Sequence, residues 1–134
     1  MPECSRPDRV APQAKAKFGI VPVIYKICER VSWQAAERAG LYRGSDLDAR
    51  DGFIHFSTGA QVAETAARHF ARQSDLMLVA VDGDALGEAL KWEPSRGGDL
   101  FPHLYGALPL RAVRWARPLP DEIDGQRAVP ELTP

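Results

Sequence analysis

Two of the chain's three histidines stand in settings suited to chemistry. In GFIHFSTGAQV, Gly52 to Val62, His55 ends a short apolar run just before a helix start. Its ring exchanges protons near neutrality, and the free N–H groups of a helix start, with the hydroxyls of Ser57 and Thr58, favour an anion. Such a histidine can position a ribose or a phosphate and move a proton. In EPSRGGDLFPHLYG, Glu93 to Gly106, His103 follows Pro102 and shares strand spacing with Tyr105. Gly97 and Gly98 let backbone N–H groups approach a ligand, and Arg96 can pair with a phosphate or carboxylate. Glu93 is a further acid or base, and Trp92 beside it would raise its carboxyl by desolvation. Each stretch has a plainer reading: a core histidine beside a helix cap, and a Ser-Arg-Gly-Gly turn followed by an edge strand that tolerates proline. A turn accounts for the glycines, but not for His103 and Tyr105 recurring on one face.

The elements that must position these residues are short. Apolar runs at Val23–Cys28, Phe53–Phe56, Leu76–Val81, Leu90–Trp92, part of Leu100–Tyr105 and Val113–Ala116 are bounded by Gly, Pro, Asp or Ser, which predicts five to six strands. Strand alternation puts Phe53 and His55 on one face, and Ile54 and Phe56 on the other. Ser32 caps a predicted helix that carries Trp33 and Ala36 and stops at Gly40. Thr58 with Gln61 forms a capping box for a second helix running to about Arg72, with Val62, Ala66 and Phe70 on its inner face. Strand, helix, strand, helix and then strands indicate an α+β fold. Residues 1–20 read as a disordered segment, 21–119 as one globular domain, and 120–134 as a proline-rich, loosely draped tail in which Glu122 to Gln126 is solvated.

Composition narrows the function classes. With 45% apolar and 26% charged residues in 134, the chain is a globular domain with a real core. A net charge of −1 gives no bulk attraction to nucleic acid or to an anionic membrane. Cys4 and Cys28 form no CxxC pair and read as reduced thiols, Cys28 filling a strand. No run of about 18 apolar residues and no apolar leader is present, so a cytoplasmic location is expected. Metal-ligand spacing is lacking, and no metal is expected. GxSxG, Walker-type and GxGxxG motifs are missing. HFST matches half of the paired His-x-Ser/Thr of two-histidine phosphoesterases, but His103-Leu104-Tyr105 lacks the hydroxyl residue of the second half.

IYKI at Ile24–Ile27, DGFIHFST at Asp51–Thr58, the following QVAETAARHF, LVAVD, KWEPSRGGDLFPHLYG and a closing VRWARPL resemble the small bacterial family catalogued as domain of unknown function 952. More distantly, the resemblance implies the ADP-ribosyltransferase-like fold, a split pair of small antiparallel sheets with helices beside them and an NAD cleft between. In that superfamily three strand positions carry the site. Carried across by motif, the first falls on Tyr25 or Lys26, the second on His55 with Ser57, and the third on His103, with Glu93 as substitute. Branches of the superfamily that use two histidines and an apolar residue, such as the RNA 2′-phosphotransferases, are closer to this pattern than the His-Tyr-Glu polymerases; strand one departs from it in lacking the usual His or Arg, and the late LFPHLY strand in lacking a glutamate.

The leading expectation is an enzyme acting on NAD or on an ADP-ribosylated or 2′-phosphorylated compound, by transfer or hydrolysis. His55 and His103 would do the chemistry, with Glu93 in reserve, and Ser57, Thr58, Arg96, Gly97, Gly98 and Tyr105 would hold the ligand. The alternatives are a module that binds a nucleotide or metabolite without turnover, and a protein-contact domain.

Overall fold

A computed structural model of the chain describes residues 23–132. The expected disordered segment, residues 1–20, and Cys4 lie outside the described residues. In chain order the elements are β1 (Val23–Glu29), α1 (Arg30–Ala39), β2 (Leu41–Tyr42), α2 (Asp46–Asp51), β3 (Ile54–His55), β4 (Ser57–Thr58), α3 (Val62–His69), β5 (Leu76–Asp82), β6 (Leu90–Pro94), β7 (Leu100–Leu104), β8 (Leu108–Pro109) and β9 (Val113–Leu119). Three 3-10 segments, Gly83–Ala89, Arg96–Gly98 and Leu110–Ala112, join strands. The fold is α+β with antiparallel pairing throughout: a four-stranded sheet β4-β1-β5-β9, a three-stranded sheet β3-β7-β6 and the pair β2-β8. Each of the six runs expected to be strands contains one. The additional β2, β4 and β8 have two residues each, too short to show a period.

β1 and β5 read as near-continuous apolar runs because both of their faces are covered. On β1, Ile24 and Cys28 face the first core cluster with Trp33, Ile54, Leu104 and Leu108, and Lys26 shares that face by alternation. Tyr25 and Ile27 face the second cluster, with Val62, Ala66, Leu76 and Leu119. Each large apolar side chain fully buried this way contributes about 1.5–3 kcal/mol.

β7 is the middle strand of its sheet, so Pro102 does not lie on an edge. Its carbonyl accepts from the Phe56 amide at 3.0 Å. The reciprocal bond cannot form because proline has no N–H. There the β3 ladder ends, and the chain crosses to the larger sheet as β4, pairing Ser57 with Tyr25.

The helices differ from expectation at their starts and in number. α1 begins at Arg30, which puts Ser32 inside it, and it ends on Gly40 in the left-handed conformation as expected. α3 begins at Val62 because Thr58 is held in β4 opposite Ile24, and the Gln61 side chain accepts from the Thr58 amide at 3.0 Å. The six-residue α2 adds a third helix, opened by a Ser45/Asp48 capping box and closed by Gly52 at φ 89°. Gly44 is required before it: its φ is +99°, and a Cβ there would stand 2.8 Å from the Asp48 Cβ.

The C-terminal residues pack to a greater extent than a draped tail implies. Arg127 donates to the carbonyls of Pro120, Phe70 and Gln73, and Val129 and Leu132 lie against the second cluster. Glu122 is not simply solvated, since its carboxylate accepts from the Arg72 amide. Among the described residues no helix is long and apolar enough to cross a membrane.

Candidate functional site

The face of the three-stranded sheet turned away from the first core cluster gathers the titratable groups. Ile54, Leu104 and Leu90 stand in register on the core side. One residue along each strand, alternation turns His55 and His103 to the other side, where they are direct cross-strand partners. Their ring centroids are 5.5 Å apart, edge to face. Phe53 joins them: its ring stacks on His103 at 4.1 Å and lies 4.5 Å from His55 and 5.2 Å from Tyr105.

Each imidazole has its own carboxylate. His103 Nδ1 is 2.7 Å from Glu93 Oε1, and the Tyr105 hydroxyl donates to the same oxygen at 2.8 Å. The hydrogen bond from His103, and then that from Tyr105, holds the Glu93 carboxyl below its ordinary range. Desolvation still pushes this carboxyl up but is outweighed by the two hydrogen bonds, and Trp92, the adjacent strand residue, points to the opposite face. The bond to Glu93 raises the Tyr105 hydroxyl in turn.

His55 rests on a denser arrangement. Its Nδ1 is 2.5 Å from Asp48 Oδ1, and its Nε2 is 3.0 Å from Asp51 Oδ2. Asp48 is only 2% exposed and takes three more donors: the His55 amide at 3.2 Å, the Ser45 amide at 2.8 Å and the Lys26 ammonium at 2.8 Å. Burial alone would raise this carboxyl, but the bonds from His55, the Lys26 charge and the Ser45 amide outweigh it and hold Asp48 well below the usual carboxylate range. Asp48 thereby joins β1 of the larger sheet to β3 of the smaller one.

This depression links Asp48 to acid stability. The folded state binds the proton less well than the unfolded state, so the contribution of Asp48 is complete above its ordinary value of 3.8 and disappears as pH falls below it. Urea unfolding at pH 5, 4 and 3 is expected to show stability falling with pH. The acid limb should be shallower in Asp48→Asn, and parallel limbs would assign acid sensitivity to other carboxylates.

The structure brings together His55, His103, Glu93 and Tyr105 directly, and Lys26 through Asp48. It does not bring Tyr25, which is buried in the second cluster with its ring 6.1 Å from that of Trp115. The Ser57 hydroxyl pairs with Thr65 of α3 at 2.8 Å, and the Thr58 amide is taken by Gln61. Gly97 and Gly98, at φ 67° and 87°, form the turn between β6 and β7, closed by Gly98 N to Ser95 O at 2.7 Å. The turn reading therefore accounts for them, while the Arg96 side chain lies outside the described residues. The sequence does not single out Asp48 or Asp51 as site residues, and it marks Phe53 only as sharing a face with His55. The signal that marks Asp48 is the Ser-x-x-Asp capping box between Gly44 and Gly52.

A ring whose Nδ1–H is held by a carboxylate presents Nε2 as its exchanging position. The His103–Glu93 pair has that form, and no described residue bonds its Nε2. Cys28 is not a rival nucleophile, since burial pushes its thiol up to about 11. Among the described residues no group of three or more His, Cys, Asp and Glu side chains is arranged to hold a metal ion.

The sequence model of a family described as a protein of unknown function, DUF952, matches residues 27–116. The crystal structure of protein CC0527 from Caulobacter crescentus is similar to this chain at 48% identity, covering 79% of this chain and 93% of that one with a TM-score of 0.76. The solution NMR structure of CC0527 is similar at 50% identity, covering 77% and 89% with a TM-score of 0.69. A search of the curated proteins gives no significant match.

Proposed function

We propose, from the premise that the chain belongs to the DUF952 family of proteins of unknown function, that it is an acid–base enzyme for a nucleotide-type substrate. The reaction is ribosyl or 2′-phosphate transfer or hydrolysis. The observation that carries this reading is the side-by-side pair of carboxylate-anchored imidazoles, His55 on Asp48 and His103 on Glu93. His103 exchanges the proton through Nε2, while Glu93 fixes its tautomer and stabilises its charged form. Phe53 and the half-exposed Tyr105 supply aromatic surface beside these groups, suited to a flat base or nicotinamide ring.

The substrate class rests on the more distant likeness to the ADP-ribosyltransferase-like superfamily that the family resemblance implies, with His55 and Ser57 at its second strand position and His103 at its third; NAD is the usual ligand there. Support comes from Glu93: the late strand lacks a glutamate, yet a carboxylate from the neighbouring strand reaches His103. No metal has a role in this scheme. A second reading, binding without turnover, is favoured by one observation: both ring nitrogens of His55 already face carboxylates.

The test is a titration of the histidine ring protons with NAD, ADP-ribose and a 2′-phosphorylated nucleotide, followed by product analysis after long incubation. Saturable shifts at His55 and His103 with product formed are expected. Shifts without product would establish the binding module. Silent rings at millimolar ligand would end the nucleotide reading.

A further inference from the structure

We propose that Lys26 is a positioning residue for proton exchange at His55, acting through Asp48, a role that rests on the acid–base reading above. His55 is confronted by two carboxylates, Asp48 Oδ1 at Nδ1 and Asp51 Oδ2 at Nε2. Left uncompensated, two anions on two ring nitrogens hold both protons in place, and a ring that keeps both protons cannot act as a base. The Lys26 ammonium stands 2.8 Å from the other oxygen of Asp48, with both side chains buried. At that depth its field is little screened by solvent or salt, so it offsets much of the Asp48 charge that the ring would otherwise feel.

The remaining charges around His55 are few. From α2 come Asp48, Asp51 and Arg50, whose guanidinium is 3.6 Å from Asp51 Oδ1; from β1, Lys26; from β7, His103; and from β6, Glu93, which reaches the site through His103, and Lys91, which stands opposite His103 in register. Two cations are coupled to His55 through a carboxylate: Arg50 through Asp51, an exposed pair weakened by solvent, and Lys26 through the buried Asp48, from a position on β1 flanked on the same face by Ile24 and Cys28. An apolar side chain would suit packing there. The amine serves the carboxylate, and through it the ring.

The experiment follows the ring resonances of His55 with pH in the full chain without ligand. Lys26→Met is expected to raise the midpoint by about one pH unit, since the ring then faces unbalanced Asp48, whereas Lys26→Arg should stay near wild type. Asp48→Asn, which keeps the buried cation, should lower it. These opposite signs are not produced by loss of packing alone. A midpoint that is unchanged or lowered in Lys26→Met overturns the proposal. Should that variant not fold, an unchanged or raised midpoint in Asp48→Asn does the same. Because no ligand is present, failure here leaves the nucleotide reading standing, and failure of nucleotides to bind leaves the titration result intact.

Discussion

Asp48→Ala is expected to lower the unfolding free energy by about 3–5 kcal/mol, the range found when one partner of a buried charge pair is removed. Three losses combine in this substitution. The Lys26 ammonium is left buried without its anion, the Ser45 and His55 amides lose an acceptor, and α2 loses half of its capping box. Lys26→Met should cost less, about 1–3 kcal/mol, because Asp48 retains the Ser45 amide, the His55 amide and the His55 ring as donors. Urea unfolding of both variants reads the difference. Equal losses would mean that Asp48 is one half of an ordinary ion pair, not the point at which two sheets and a helix are tied together. For a domain at the low end of the usual stability range, about 5 kcal/mol, the larger loss is enough to leave a measurable unfolded fraction.

That tie explains which parts of the site could be read from the sequence. The imidazoles were legible because strand alternation is a local rule: with Ile54 and Phe56 in the core, Phe53 and His55 had to face the other way, and His103 and Tyr105 followed by the same rule. Glu93 was legible as a titratable group, but its partner was not. Its carboxyl is lowered by His103, not raised by Trp92, and that depends on β6–β7 register, in which Glu93 stands opposite Phe101 and reaches His103 on the diagonal. Asp48 and Asp51 sit in a polar run whose helix is too short to show a period. Only the Ser45 and Asp48 spacing, with glycines on both sides, marks it.

Lys26 and Tyr25 show how sheet geometry decides between neighbours. The resemblance offered either as the first-strand residue, and the two point in opposite directions from β1. Tyr25 goes to the cluster under α3 and Lys26 to the side where α2 and β3 lie. The split into two sheets makes a second separation of this kind. The chain changes sheet at Phe56, so His55 belongs to the small sheet with His103, and Ser57 belongs to the large sheet with its hydroxyl on α3. A continuous strand through HFST would have put His55 and Ser57 on one face. Pro102, which cannot donate to a continuing ladder, stands opposite the point where the strand breaks.

The largest effect on activity is expected at His103. Replacing it by Gln keeps a side chain able to donate to Glu93 but removes the exchanging nitrogen, so on the acid–base reading proposed above turnover should fall by about 10²–10⁴-fold. Stability should change little by comparison: the lost stacking on Phe53 amounts to about 0.5–1.5 kcal/mol. Glu93→Gln should fall between wild type and His103→Gln, since the amide oxygen still accepts from Nδ1 but no longer supports a charge on the ring. The split between kcat and KM separates the two functional readings. Loss in kcat with KM unchanged places His103 at the reacting atoms. A rise in KM alone would make His103 a binding residue, and the His55–His103 face would then be a ligand platform whose chemistry, if any, is done by other groups.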